Sequence, residues 1–273
     1  MKQPLRRAAS RSHVSFLVLA VLVAASCGPR RTVLPPGTAG ADQFLYEHGM
    51  AAVKAKKWVD ATDYFTKLID GYPQSQYRAD AKLGIGDVYL AQSTAESLVL
   101  AQNEYREFLT YYPTSGRADY AQYQLGMTHF KTMRAPERDQ TATKQAITEF
   151  EFFLQRYPNS SMLSEAQARI RAAKDRLDQS DFRVGLHYYR TRWYPGAVAR
   201  FKDLLKTDPG YTNRDAVYFY LAESLLKTEN KADKVEALPY YERLLAEFET
   251  SAYLEDARKR VSQLKQEAEN KRS

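Results

Sequence analysis

The residues of this 273-residue chain best suited to chemistry are few and stand far apart. His48, His129 and His187 fall in three different segments. None has a second histidine four residues away, or cysteines at zinc-ligand spacing, so the pattern predicts structural or surface histidines. Gly84-x-Gly86 lacks the third glycine of a dinucleotide fingerprint and the strand that should precede it. No phosphate-binding loop and no G-x-S-x-G elbow occurs in the sequence. Carboxylates are abundant but scattered, as on the solvated faces of helices. Cys27 is the single cysteine, so no internal disulfide forms and packing must hold the fold. The expectation is a chain with no catalytic group, no metal site and no cofactor.

Cys27 has a context of its own. Met1 to His13 is basic, Val14 to Ala25 is an uncharged apolar run of twelve, and Ala24-Ala25-Ser26 is a small-residue site. That is the layout of a secretory signal peptide over residues 1–26; twelve residues fall short of the ~20 that span a bilayer as a helix, which leaves a membrane-spanning segment as the alternative. Cysteine directly after the small residues, followed by Gly28, resembles the bacterial lipobox, with Ala24 where leucine is usual. The other reading of Cys27 is an incidental thiol. The resemblance implies acylation of Cys27 with more than one chain, which stable anchoring requires. Gly28 resembles an outer-membrane address in a Gram-negative cell. Residues 27–41, with several Pro and Gly and no helical period, are expected to be a lipidated N-terminus and flexible tether.

Charge narrows the function classes. Lys2, Arg6, Arg7 and Arg11 account for much of the net +7, because the leader carries no acid. The rest of the chain holds 36 basic and 33 acidic side chains, interspersed, and no nucleic-acid partner is expected.

Past residue 42 one pattern recurs five times, anchored at Pro73, Pro113, Pro158, Pro209 and, in degenerate form, Glu249. Twelve residues before the anchors stand Ala61, Ala101, Ala146, Ala197 and Ala237; eight before stand Phe65, Tyr105, Phe150, Phe201 and Tyr241. Five before are Leu68, Phe108, Phe153, Leu204 and Leu244, and four before are Ile69, Leu109, Leu154, Leu205 and Leu245. These offsets put alanine, an aromatic and two large apolar groups on one helical stripe. Alanine lets two helices approach, and proline ends the helix. Gly49, Gly86, Gly126, Gly185 and Ala222 take the small-residue place on a preceding helix. This is the tetratricopeptide pattern, and it predicts an all-α solenoid of about five helical hairpins. Residues 42–178 would hold three N-terminal repeats, 179–262 two more with a capping helix, and 263–273 a frayed tail. Inter-helix loops longer than standard are expected in the second, third and fifth repeats, the longest over 131–145.

Most of the twenty tyrosines fall on core positions. In this repeat class the first helix of each hairpin lines the concave side. Counting from the small residue, the inward candidates are Tyr46, Met50, Lys54, Asp80, Leu83, Asp87, Tyr120, Tyr123, Met127 and Lys131. Aromatic, methionine and isolated charged groups on such a face suit capture of an extended or partly helical peptide.

The passages YFTKLIDGYPQSQYRADA (64–81), EYREFLTYYPTSGRADYAQYQLGM (104–127) and RDQTATKQAITEFEFFLQRYPNS (138–160), behind a lipobox leader, carry a family resemblance. The chain resembles the BamD (YfiO) family of outer-membrane β-barrel assembly lipoproteins over about 44–250, with DPGYTN in place of one YP close. The resemblance implies a periplasmic scaffold anchored to the outer membrane through acylated Cys27. Its N-terminal groove would receive unfolded outer-membrane proteins, and its C-terminal repeats would dock a BamA-like subunit on a surface that includes Arg192 and Arg200. A periplasmic tetratricopeptide adaptor lipoprotein for cell division or for pilus or secretin assembly would share the repeats and stays open as the alternative.

Overall fold

A stripe repeated at offsets of four, three and one can bury itself only against a second helix, and the chain folds accordingly. The computed structural model describes residues 38–270, and among these are eleven α-helices and no strand. Five hairpins pair α1 (Ala41–Lys54) with α2 (Trp58–Gly71), α3 (Arg78–Gln92) with α4 (Ala95–Tyr111), α5 (Ala118–Lys131) with α6 (Thr141–Arg156), α7 (Leu163–Arg190) with α8 (Tyr194–Thr207), and α9 (Arg214–Lys227) with α10 (Lys231–Glu247). The helix α11 (Leu254–Asn270) follows. All five repeat alanines, and the aromatics four residues later, are fully buried. Each ring from α2, α4, α6 and α8 packs directly against a glycine of the paired first helix, and Phe65 meets both Gly49 and Gly84. A methyl group on Gly126 would stand 2.7 Å from the Phe150 ring, so the close approach depends on its absence.

The turns between hairpins also repeat. Ser75, Ser160 and Ser251, two residues past the anchors, donate to Asp42, Asp119 and Asp215 in the first turn of their own hairpin, at 2.6 to 2.7 Å. The same hydroxyls accept the backbone N–H of Tyr77, Met162 and Tyr253. Each such hairpin is thereby closed at its open end.

Three sequence expectations change. The extra residues of the second and fifth repeats lengthen helices rather than loops: α4 and α10 run 17 residues against 14 in α2 and α8. A Thr94–Ser97 capping box starts α4 early, and the Asn230 side chain starts α10. The third-repeat loop is also shorter than 131–145, because Asp139 takes both the N–H and the hydroxyl of Thr141 and α6 begins there. Finally, the tail expected to fray from 263 stays helical to Asn270, with Val261 and Leu264 packed on the core.

The 28-residue α7 runs without a break through 178 and 179. Ala166 and Ile170 belong to the third-repeat core, and Phe182 to the core of the last two repeats. Between these clusters α7 is braced by polar groups, with Arg171 bonded to Asp175, Asp178 and Asp208. First helices touch in three of the four neighbouring hairpin pairs, α1 with α3, α5 with α7 and α7 with α9, while successive second helices do not meet to the same extent. In stacked repeats of this class the first helices form the inner row. No described helix is long and apolar enough to cross a membrane.

Candidate peptide-binding surface

The inner row brings several of the sequence candidates into one strip. Tyr46 on α1 stacks on Tyr77 at 5.0 Å between centroids. Asp80 on α3 faces the Arg117 guanidinium at 3.6 Å. Arg117 in turn lies over the Tyr120 ring, 4.7 Å from its centroid, and the Tyr120 hydroxyl donates to Asp87 at 2.8 Å. Asp80 and the Arg117 side chain are partly to half exposed, Tyr46 is half-buried, and Met50 is 45% exposed on the next turn of α1. Lys54 is exposed at the end of α1, and exposed Lys131 donates to Ser93 at 3.3 Å. Such a strip can stack on side chains and exchange hydrogen bonds with a backbone.

Two candidates belong to the core instead. Leu83 is 1% exposed and packs with Leu98, Tyr105 and Phe108; Tyr123 is 5% exposed against Phe150 and Phe153. Both stand three residues before the small residue, on the side of the helix that faces its own hairpin partner. Tyr46 occupies the same repeat position but stays half open, with its ring against Phe65 and Tyr77. Met127 is half-buried on the third-repeat core. Asp87 is an internal acceptor: the hydroxyls of Tyr105, at 2.7 Å, and Tyr120 both donate to one of its oxygens. Burial raises its pKa, an effect the two hydroxyls only partly offset. Burial, with Asp87 as neighbour, also pushes both tyrosines well above the usual phenol range.

A sister arrangement sits in the fifth repeat. Buried Glu223 accepts from the Tyr241 hydroxyl at 2.7 Å and from two nitrogens of Arg260. Burial opposes its charge, but those bonds outweigh it and hold the carboxyl below its ordinary range. Tyr77 and Arg117 were absent from the sequence candidates although their signal was present: both stand four residues past an anchor, at the inner end of the turn. Arg192 and Arg200 are both exposed. Arg192 forms the α7–α8 turn with φ of 64°, and Arg200 lies within α8. His129 is buried against Gln102, and His48 bonds the Phe44 carbonyl. No group of three metal-ligating side chains occurs among the described residues. Cys27 lies outside them.

Paired helices of this repeat, stacked with a polar and aromatic inner row, define a helical-repeat protein of the tetratricopeptide class. The family model YfiO, described as outer membrane lipoprotein, matches residues 38–238, and the chain belongs to that family. The chain is similar to "Outer membrane protein assembly factor BamD" of Caulobacter vibrioides, 27% identical over 67% of this chain and 59% of that protein. It is similar to the protein of the same name from Vibrio cholerae, 29% identical over 60% of this chain and 71% of that one. The match to the first thus spans less than two thirds of its length. Among solved structures, the yeast Sti1 TPR2AB-domain:pHSP90-complex shares 12% identity at a TM-score of 0.43, over 75% of this chain and 76% of that one.

Proposed function

We propose that this protein is a scaffold of outer-membrane β-barrel assembly, held at the periplasmic face of the outer membrane by acylated Cys27. Family membership over 38–238 supports the reading most, because the matched stretch contains every helix that contributes to the inner strip. In this reading residues 1–26 are removed and 27–41 tether the repeats. Unfolded barrel proteins bind along Tyr46, Met50, Lys54, Tyr77, Asp80, Arg117, Tyr120, Met127 and Lys131, with Asp87 holding Tyr120 in place. The last two repeats dock a BamA-type subunit through a surface that includes Arg192 and Arg200.

Detergent pull-down from membranes tests the assembly role: a large β-barrel subunit should be recovered, whereas division or pilus proteins would transfer the chain to an adaptor role. For the groove, Tyr46→Ala with Arg117→Ala should weaken binding of an unfolded barrel peptide by about tenfold or more, since aromatic and arginine anchors dominate such surfaces. Unchanged affinity would remove the strip from the site. Cys27→Ser should release the chain from membranes.

A further inference from the structure

Five residues past the anchors stand Arg78, Ala118, Leu163, Arg214 and Leu254, so two joints carry an arginine there. In the joint of α8, α9 and α10, Arg214 lies over the Phe248 ring, 5.2 Å from its centroid, and its Nε faces Glu247 at 3.4 Å. Glu247 also takes Arg243 at 2.9 Å and the Tyr218 hydroxyl at 3.0 Å. Phe248 and Glu247 stand one and two residues before their anchor. In the joint of α2, α3 and α4 the same two places hold Tyr112 and Tyr111. Arg78 donates to the Ile69 carbonyl at 3.2 Å and to the Tyr112 hydroxyl at 3.3 Å. No carboxylate among the described residues pairs with it.

Beside Arg78 is a hollow of about 500 Å³, walled by Ile69, Arg78, Lys82, Glu107, Tyr111 and Tyr112. Lys82 is already matched, by Glu104 at 2.6 Å and Glu107 at 2.5 Å. Tyr111, in the place of Glu247, is 70% exposed. Arg78 and Lys82 share one face of α3, a turn apart, whereas Asp80 stands on the other side with the inner strip. A partly buried guanidinium bonded only to neutral groups loses water without gaining an anion, a deficit that Glu247 makes good for Arg214. Residues 1–37 and 271–273 contain no acidic side chain, so an acid for this hollow comes from another molecule.

We infer that the hollow of α2, α3 and α4 binds an acidic segment of a partner protein, whose carboxylate takes at Arg78 the place that Glu247 holds at Arg214. An apolar side chain next to that acid covers Ile69 and the Tyr111 ring. Glu107 in the wall repels a second acid, so the segment carries one Glu or Asp among neutral residues. The site is independent of the proposed assembly role and distinct from the inner strip.

The test titrates the full chain with a dye-labelled synthetic peptide that carries the Leu-Leu-Ala-Glu-Phe stretch of residues 244–248. A matched peptide has Gln for the Glu. Saturable binding of the Glu peptide is expected, weakened at least about fivefold by the Gln replacement, by Arg78→Gln and by Tyr111→Glu. Tyr111→Glu changes an exposed residue and gives Arg78 a carboxylate from within, so its melting temperature should not fall. Tyr46→Ala with Arg117→Ala, in the inner strip, should leave binding unchanged. Equal binding of both peptides, or unchanged affinity in Tyr111→Glu with its melting temperature kept, overturns the inference. Binding that the inner-strip pair abolishes and Tyr111→Glu spares overturns it too. Self-association that Tyr111→Glu dissolves would assign the hollow to a second copy of this chain. Arg78-dependent binding of phosphatidylglycerol vesicles, with none of the peptide, would assign it to lipid headgroups, and either result overturns the inference as well.

Discussion

Two of the five repeats replace the buried phenylalanine of the second helix by tyrosine, and both put an acid eighteen residues earlier. Tyr105 donates to Asp87 and Tyr241 to Glu223, whereas Phe65, Phe150 and Phe201 go with Met50, Met127 and Leu186 at the acid's position. A buried hydroxyl needs an acceptor, and a phenyl ring needs an apolar neighbour. Asp87→Met alone should therefore cost about 1–3 kcal/mol, and adding Tyr105→Phe should recover part of that, as a coupling of about 0.5 kcal/mol or more in urea unfolding. Strict additivity of the two changes would mean that the pair is incidental. The glycine beside Phe65 makes a second case. Gly84→Ala gains helix propensity, but its new carbon would stand 2.6 Å from the ring. Overpacking should win, lowering stability by about 1–3 kcal/mol, and a raised melting temperature would show that the ring has room to move. The acid–tyrosine pairing was legible by comparing repeats with one another; inward pattern alone assigns Asp87 to the groove.

At the scale of elements, α7 is the exceptional helix, because its middle turns have little apolar cover. Arg176 donates to the Arg134 carbonyl and Arg183 pairs with Glu137, so the 132–140 loop lies along α7. On the turn after α8, Thr212 bonds Asp175 and the Tyr211 hydroxyl bonds Gln179. Arg183 and Glu137 are both about half exposed, and such pairs contribute only about 0–1 kcal/mol. Removing both arginines should therefore speed proteolytic cleavage within 132–140 while shifting the melting temperature by no more than about 2–4 °C. Cleavage at the wild-type rate would detach the loop from any dependence on α7. Sequence reasoning located this loop by its length, but nothing in the period of a helix says which distant helix it will lie against.

Across the whole molecule, the Arg171 cluster ties the third repeat's neighbourhood to the turn that opens the fifth. Burial first, and then Asp208, pushes the Asp178 carboxyl up to about 8, while hydrogen bonding from Arg171 holds Asp208 down at about 2. An unfolded aspartate releases its proton near about 4, so between about 4 and 8 the folded chain holds the more protons at Asp178. That contribution to stability is complete below the window and is lost as pH rises through it. Asp208 acts oppositely, its contribution fading only as pH falls toward 2. Asp178→Asn keeps an acceptor for Arg171 and adds a donor for Asp208. The variant should thus escape the decline, which for one proton is at most about 1.4 kcal/mol per pH unit. Urea unfolding at pH 5 and pH 8 measures it, and parallel pH profiles for the two chains would exclude Asp178 as the titrating group.

The linear sequence determined the number of hairpins, their buried stripes and the family, because alanine, aromatic and proline at fixed offsets act within one or two turns of helix and need no distant partner to be read. The tertiary structure alone decided which inward positions stay open. Leu83 and Tyr123 share a repeat position with Tyr46, yet of these three only Tyr46 is left half open, since coverage depends on the side chains each one meets across its hairpin. It also decided that Arg171 gathers three carboxylates from two segments. Those outcomes depend on how successive hairpins are set against one another, a geometry fixed by contacts between residues about 30 to 40 positions apart.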